Sequence, residues 1–272
     1  MKIAHDKPTV AIHKFTSCDG CQLAILNLEE ALLTLTELVN IQQFAEAGIL
    51  DGEAEVDIAF IEGSVSTPRE MEHVKKIREQ SRYLIAMGAC ATSGGIQALR
   101  NMNDGQAWIS EIYASPQHIE SLATSTPLSD HVRIDLELWG CPVSGKQLTT
   151  TIRALLFGVL PVIKHDKVCM ECKRSQAVCV MVSRGEPCMG PVTNTGCGAL
   201  CPQFGRGCYA CYGPAENPNP NALTNRFEGL GMTADEISRN FLFINNNAPV
   251  FHAIGEKYRD KHQDKIKSRH DD

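Results

Sequence analysis

The sequence predicts an α/β domain built on a parallel sheet, followed by a small, irregular, cysteine-rich C-terminal domain. Over residues 8–160 it contains nearly continuous apolar runs, typical of strands buried on both faces of a parallel sheet. These runs alternate with segments of helical periodicity, which is the pattern of an α/β sheet. After Pro161 cysteine, glycine and proline replace the periodic pattern. We therefore expect two domains, at residues 8–160 and 161–272.

The bulk composition excludes several classes of protein. With 272 residues, 43% of them hydrophobic and 21% charged, the chain is long enough for one large core and a smaller domain. Its net charge of −6 and the lack of a basic stripe argue against nucleic-acid binding. The sequence has no export signal, and no apolar run approaches the ~20 residues of a membrane span. We expect a cytoplasmic protein that is not inserted directly into a membrane.

Five strands are predicted, at Thr9–Phe15, Leu38–Phe44, Val56–Ile61, Tyr83–Met87 and Ile134–Trp139. Helices are predicted at Leu23–Leu35, at Pro68–Gln80 and from about Lys146 to Leu160. The helix at Pro68 has the clearest start, because Thr67 is a good N-cap, proline takes the first helical position and Glu70 completes a capping box. In the C-terminal domain, Thr233 and Glu236 indicate another helix start.

Four cysteines and one carboxylate come directly after predicted strands. They are Cys18 and Cys21, Glu62, Cys90, and Cys141. The carboxyl ends of parallel strands meet at one edge of a sheet, where open α/β sheets bind ligands. Taken alone, the Cys18–Cys21 pair is weak evidence, since a redox dithiol or half a zinc site has the same spacing. The four thiols together predict a metal site at this edge rather than a packing role.

Eight further cysteines occur between Cys169 and Cys211, which brings the total to 12, or three sets of four. In order, they divide into Cys169, Cys172, Cys179 and Cys188, and then Cys197, Cys201, Cys208 and Cys211. A segment so poor in core-forming residues needs bound metal to hold it, and disulfides do not persist in the cytosol. Two zinc sites are the alternative, but neither set has the usual paired hooks. Iron–sulfur clusters accept irregular spacings, and proline often follows a ligand, as it does after Cys201.

Six motifs follow one another along the chain: CDGC, EGS, GACATSGGI, GCPVSG, CMGPVTNTGCGALCP and CYACYGP. In this order they resemble the small subunit of nickel–iron hydrogenases, over about residues 8–214. The resemblance implies a flavodoxin-like N-terminal domain and three [4Fe–4S] clusters. The implied ligands are a proximal group (Cys18, Cys21, Cys90, Cys141), a medial group (Cys197, Cys201, Cys208, Cys211) and a distal group (Cys169, Cys172, Cys179, Cys188). These names are kept below.

The resemblance also implies partners. In that family a large subunit carries the nickel–iron centre and forms an obligate heterodimer with the small one, so no catalytic residue is expected in this chain. Glu62 is assigned to a proton path, to the interface or to accepting backbone hydrogen bonds. A Cys169-x-x-Cys172 pair where other relatives have His-x-x-Cys, with four medial cysteines, resembles the cytosolic multisubunit branch. Asp19, where many relatives have threonine, puts any family-based proton path through that position in doubt.

That branch implies diaphorase-type flavin and iron–sulfur subunits, which carry FAD and pass electrons to NAD(P), sulfur or a deazaflavin. NAD(P) is the acceptor we expect. The rival interpretation is an iron–sulfur electron-transfer subunit of a non-hydrogenase oxidoreductase complex, which the second cysteine-rich segment disfavours. Direct nickel binding by two of the Cys-x-x-Cys pairs is opposed by counting, since three four-thiolate sites use all 12 cysteines. A zinc hydrolase is opposed by the lack of an HExxH motif.

Overall fold

The computed structural model describes residues 7–51, 54–163 and 166–270, and residues 265–270 by their backbone alone. The chain divides into two compact units, Met1–Val162 and Ile163–Asp272. The first unit contains the sheet and the second contains the cysteine-rich segment and three longer helices. The division falls next to the boundary expected from the change in composition.

The first unit is built on a five-stranded sheet in which every neighbouring pair is parallel. Its strands are β1 (Thr9–Lys14), β2 (Asn40–Phe44), β3 (Val56–Glu62), β4 (Ser81–Met87) and β5 (Leu136–Leu138). The strand order β2-β1-β3-β4-β5 is that of flavodoxin-like folds, with the switch point between β1 and β3. The predicted α/β class is confirmed. The loops after β1 and β3 therefore border the crevice where such sheets bind ligands.

The described residues of this unit form six α-helices: α1 (Gly20–Leu26), α2 (Glu30–Leu38), α3 (Pro68–Glu79), α4 (Gly88–Ser93), α5 (Gly105–Ile112) and α6 (Gly145–Leu156). The predicted helix at Leu23–Leu35 is two helices, because Glu29 has a φ of 50°, which a right-handed helix cannot accommodate. Leu38 consequently ends α2 instead of starting a strand. The last predicted helix is also shorter than expected, since Gly158 takes a φ of 67° just beyond its end.

The core lies between β3, β4 and the helices that cover them. Ile61 on β3 and Leu84 on β4 are fully buried, and α3 packs Val74 and Ile77 into the same cluster. Leu128 belongs to this core as well, although it lies outside the strands and α-helices of this unit. Such burial on both faces of the central strands explains why the strand sequences are continuously apolar.

The second unit contains α7 (Val168–Arg174), α8 (Val180–Ser183), α9 (Leu200–Gln203), α10 (Pro220–Gly229), α11 (Ala234–Phe241) and α12 (Pro249–His270). The helix start predicted at Thr233 and Glu236 is confirmed, and the two residues form a capping box there. Phe241 and Phe251 meet edge to face at 5.7 Å between ring centroids, so α11 and α12 share an apolar core. Among the described residues, no helix has the length and apolar content needed to cross a membrane.

The capping box of α3 also fastens the loop that follows β1. Thr67 Oγ1 accepts from the Glu70 N–H at 3.1 Å, and the Glu70 carboxylate accepts from the N–H groups of Thr67 (3.0 Å) and Ser66 (2.8 Å). The other oxygen of Glu70 accepts from Thr16 Oγ1 at 2.8 Å, two residues before Cys18. Glu70 thus ties the start of α3 to the segment that bears the first cysteines.

Replacing these residues should show how much the box contributes. Thr67→Ala is expected to lower the free energy of unfolding by about 1 kcal/mol, the usual effect of losing an N-cap. Glu70→Ala should cost about 2 kcal/mol, because several donors lose their acceptor. Denaturant titration of the full chain at matched iron content measures both. Glu72→Ala is the control, since Glu72 is exposed on the same helix and pairs with Lys75. An equal loss in the control would contradict this role for Glu70.

Candidate metal centres

The proximal group lies at the carboxyl edge of the sheet. Cys18 occupies the loop after β1, and Cys21 lies in the first turn of α1. Cys90 lies in α4, directly after β4, and Cys141 follows β5. Glu62 is the last residue of β3. All five positions predicted for this site are therefore at one end of neighbouring parallel strands.

The four thiols of the proximal group lie near enough to affect one another electrostatically. Burial raises the pKa of the Cys21 thiol, and the charges of Glu62 and Cys90 raise it further. Burial and the thiols of Cys141 and Cys18 raise the pKa of Cys90 to about 12. Burial and Cys18 likewise raise the pKa of Cys141. Thiolates gathered in this way need a positive group among them, which bound iron supplies.

Glu62 is fastened to the first turn of α1. Its carboxylate is 2% exposed. One oxygen accepts from the N–H of Cys21 at 3.0 Å and the other from the N–H of Gln22 at 3.1 Å. Burial raises the pKa of Glu62, and these two N–H groups act in the opposite direction. Three roles are expected for Glu62, namely a proton path, an interface contact and the acceptance of backbone hydrogen bonds. Its contacts correspond to the third of these roles.

Glycines leave room beside two of the sulfurs. A Cβ atom on Gly88 would lie 2.4 Å from Cys21 Sγ, and one on Gly95 would lie 2.6 Å from Cys90 Sγ. Both glycines have positive φ values, 87° and 57°, which other residues adopt only with strain. Any side chain at Gly88 or Gly95 would therefore displace a thiol of the proximal group.

Backbone N–H groups also point at these sulfurs. The Val143 N–H donates to Cys21 Sγ at 3.5 Å. A backbone hydrogen bond from Gln97 lowers the pKa of Cys90, against the larger effect of burial. Donors of this kind stabilise thiolates and tune the reduction potential of the iron–sulfur clusters that thiolates bind.

The distal group forms a second set of interacting thiols. Burial and the thiols of Cys188 and Cys179 raise the pKa of Cys169. Burial raises the pKa of Cys172 to about 11, with Cys169 as the largest neighbouring charge. Cys169 and Cys172 are both on α7, while Cys179 directly precedes α8. The cysteines that share an irregular spacing in the sequence therefore come together in space.

The medial group contains two pairs of thiols that affect each other electrostatically. Cys201 raises the pKa of Cys197, and Cys211 raises the pKa of Cys208, in each case in addition to the larger effect of burial. Each pair also adjoins the distal group. The charge of Cys197 contributes to the raised pKa of Cys172, and the Cys208 N–H donates to Cys188 Sγ at 3.2 Å. The assignment of these eight cysteines to two clusters stays a prediction.

The donor set fits iron–sulfur clusters. Each group offers thiols with N–H donors or glycines beside them, and a cluster of four irons accepts thiolates that do not meet at one point. Within the described part of the chain, no three His, Cys, Asp or Glu side chains converge on a position for a single metal ion. The residues that would hold clusters are the 12 cysteines themselves.

Sequence reasoning missed two residues that shape these sites. Glu171 lies between two distal cysteines, yet its carboxylate accepts from the N–H groups of Gly196 (2.9 Å) and Ala199 (3.1 Å), on either side of Cys197. Asp19, which the sequence marks only as a departure from relatives, takes a φ of 63° ahead of α1 and pairs with Lys14 at 2.7 Å. No spacing rule marks either contact in advance, because both join segments that the fold brings together.

Glu62→Gln is expected to release about 4 of the iron atoms, the content of one cluster. An amide has a single acceptor oxygen, so one of the two N–H groups now bound by Glu62 loses its partner in a buried site. Iron analysis of the purified complex measures this. Asp57→Asn at the other end of β3 is the control, because a single oxygen of Asp57 accepts from both Thr9 N–H (2.9 Å) and Thr9 Oγ1 (3.1 Å). Full iron content in Glu62→Gln would refute a holding role for Glu62.

Comparison with known proteins identifies the family. The family described as the 20 kDa subunit of NADH ubiquinone oxidoreductase matches residues 18–155, a range that begins at Cys18 and contains the whole proximal group. Sulfhydrogenase 2 subunit delta of Pyrococcus furiosus is 35% identical over 85% of this chain and 96% of its own length. A subunit of the F420-non-reducing hydrogenase vhu of Methanococcus voltae is 27% identical over 86% of this chain and 92% of its own.

A solved structure agrees with these relatives. A chain of an NAD+-reducing [NiFe]-hydrogenase in the H2-reduced state superposes with a TM-score of 0.52 and 28% identity, over 57% of this chain and 94% of its own. The predicted resemblance to hydrogenase small subunits is confirmed. The chain belongs to the family of the 20 kDa subunit of NADH ubiquinone oxidoreductase, and its relatives within that family are the small subunits of hydrogenases.

Proposed function

We propose that this chain is the electron-transfer subunit of a nickel–iron hydrogenase and relays electrons through three [4Fe–4S] clusters. One observation carries the proposal: four thiols lie together at the carboxyl ends of the parallel strands, in a chain that is similar to hydrogenase subunits. These thiols belong to Cys18, Cys21, Cys90 and Cys141. The medial and distal groups extend this set to 12 thiols. An electron relay needs several metal sites in one chain, whereas a purely structural role needs only one.

The protein's own residues supply binding and tuning. The clusters, when bound, provide one-electron transfer at thiolate-ligated iron. Cys21 is buried, and its position is fixed by Glu62 through the backbone of α1. The N–H groups of Val143 and Gln97 reach the sulfurs of the same group and favour their negative charge. Burial excludes water from the inner side of the site.

The nickel–iron centre is assigned to a large subunit with which this chain forms an obligate heterodimer. Cys18 is exposed in the isolated chain, and Leu23 in the first turn of α1 is 49% exposed. A ligand of the first relay site is useful only beside the catalytic metal, so we assign this edge to the subunit interface. An interface larger than ~2,000 Å² is typical of permanent hetero-complexes.

The electron acceptor is assigned to a diaphorase-type subunit that carries FAD and serves NAD(P). A second candidate has sulfur or a deazaflavin as the final acceptor. It is favoured by the share of this chain that each relative matches. The NAD+-reducing hydrogenase chain matches only 57% of this chain, whereas sulfhydrogenase 2 subunit delta matches 85%. The longer match supports a relay that continues into the cysteine-rich unit.

Anaerobic purification with the native partners tests the proposal. Three [4Fe–4S] clusters predict about 12 iron atoms per chain and little zinc. The complex should oxidise hydrogen, and the chain expressed alone should not. A colourless protein with stoichiometric zinc would refute the clusters. Full iron content in a complex that lacks hydrogenase activity and a nickel-bearing partner would instead favour the non-hydrogenase electron-transfer subunit.

Two cysteine variants distinguish the entry and exit of the relay. Cys18→Ser should abolish activity with every acceptor, because it disturbs the site nearest the catalytic metal. Cys172→Ser should retain part of the dye-linked hydrogen oxidation, since a small dye collects electrons at an inner cluster, while transfer to the natural acceptor is lost. Co-purification and iron analysis verify that each variant assembles. If Cys172→Ser loses its cluster but keeps the wild-type rate with the natural acceptor, the exit lies at the medial group.

A further inference from the structure

Glu171 joins the helix of the distal group to the loop that carries Cys197. The residue lies on α7 between Cys169 and Cys172. One of its carboxylate oxygens accepts from the Gly196 N–H at 2.9 Å, and the other accepts from the Ala199 N–H at 3.1 Å. The two donors lie on either side of Cys197 in the sequence, so the carboxylate holds the whole turn around this medial ligand.

These contacts continue a backbone pairing that stops short of Cys197. The Val168 N–H donates to the Thr193 carbonyl at 2.9 Å, and the Thr195 N–H donates to the Asp166 carbonyl at 2.8 Å. Beyond Thr195 the contact with α7 passes to the side chain of Glu171. The link stabilises an unusual backbone, since Ala199 has a φ of 57°, a value that L-residues other than asparagine and aspartate seldom adopt.

The same carboxylate faces the sulfur of Cys197. Its second oxygen lies 3.9 Å from Cys197 Sγ, which donates to it as a thiol. Iron binding deprotonates the sulfur and leaves two negative charges facing each other. The N–H groups of Leu200 and Ala199 act in the opposite direction on Cys197. A fixed negative charge beside a cluster disfavours the addition of an electron, so it lowers the reduction potential.

We propose that Glu171 is a positioning residue that fastens the Cys197 loop to the distal helix and lowers the reduction potential of the cluster held by the medial group. This inference rests on the proposed function, because it requires an iron–sulfur cluster at Cys197. The role resembles that of Glu62 at the proximal group, where a carboxylate also accepts two N–H groups next to a ligand. Unlike Glu62, Glu171 is only half-buried. Substitutions can therefore distinguish the effect of its negative charge from the effect of its hydrogen bonds.

The test compares Glu171→Gln, Glu171→Ala and Glu236→Gln in the full complex, purified anaerobically. In Glu171→Gln the remaining acceptor oxygen can keep the N–H of Ala199, which is fully buried, while the N–H of the partly exposed Gly196 is left to water. Iron content should therefore equal that of the wild type. A redox titration followed by electron paramagnetic resonance should show one cluster reduced at a more positive potential. Glu171→Ala should lose about 4 iron atoms, because both donors are released. Glu236 also accepts a backbone N–H in this unit, so its variant controls for the loss of one charge.

The outcomes separate this inference from the proposed function. Wild-type protein without iron would overturn both. Wild-type protein with full iron leaves the cluster assignment intact, and then any of three results overturns the role of Glu171. The first is full iron content in Glu171→Ala. The second is an unchanged potential in Glu171→Gln, and the third is a shift of the same size in Glu236→Gln.

Discussion

The carboxylate of Glu62 connects the sheet to the thiols, and the rest of the proximal site depends on that connection. β3 is a central strand of the sheet, so its last residue has a fixed position. Through the N–H groups of Cys21 and Gln22 this position is passed to the first turn of α1. Cys18 lies just before that turn, and Cys90 and Cys141 follow β4 and β5 at the same edge. The sheet thus places ligands that are far apart in the sequence.

The cost of this arrangement is electrostatic. Burial raises the pKa values of Cys21 and Cys90, and the charges of Glu62 and of neighbouring thiols raise them further. Burial also raises the pKa of Glu62. These shifts keep the thiols of Cys21 and Cys90 protonated while no cation is present, and binding of a metal would remove those protons. Assembly of the site and loading of iron are therefore linked events. The glycines at positions 88 and 95 serve the same end, because they keep side chains away from the sulfurs.

The sheet, and the meeting of the proximal cysteines at its edge, could be predicted from the sequence because both follow from simple rules. Buried parallel strands are continuously apolar, and ligands cluster at their carboxyl ends. The break between α1 and α2 could not be predicted, because a glutamate in a sequence does not indicate a positive φ such as the 50° of Glu29. The sequence also did not predict helix α5, which Asp104 caps by accepting from the N–H groups of Gln106 and Ala107. The positive φ of Glu29 and the capping contact of Asp104 both depend on contacts that exist only in the folded chain.

The two glutamates explain why a ligand motif alone is an incomplete description of such sites. Glu62 belongs to the EGS motif and directly follows a predicted strand, whereas Glu171 lies inside a Cys-x-x-Cys pair, whose spacing does not specify the residues between the cysteines. Both have the same physical task, because a loop that bears a thiolate exposes N–H groups that need an acceptor. A carboxylate accepts two of them at once, which a single backbone carbonyl seldom does in such a loop. The cysteines offer the thiolates that a cluster would need, and the carboxylates hold the loops that carry these cysteines.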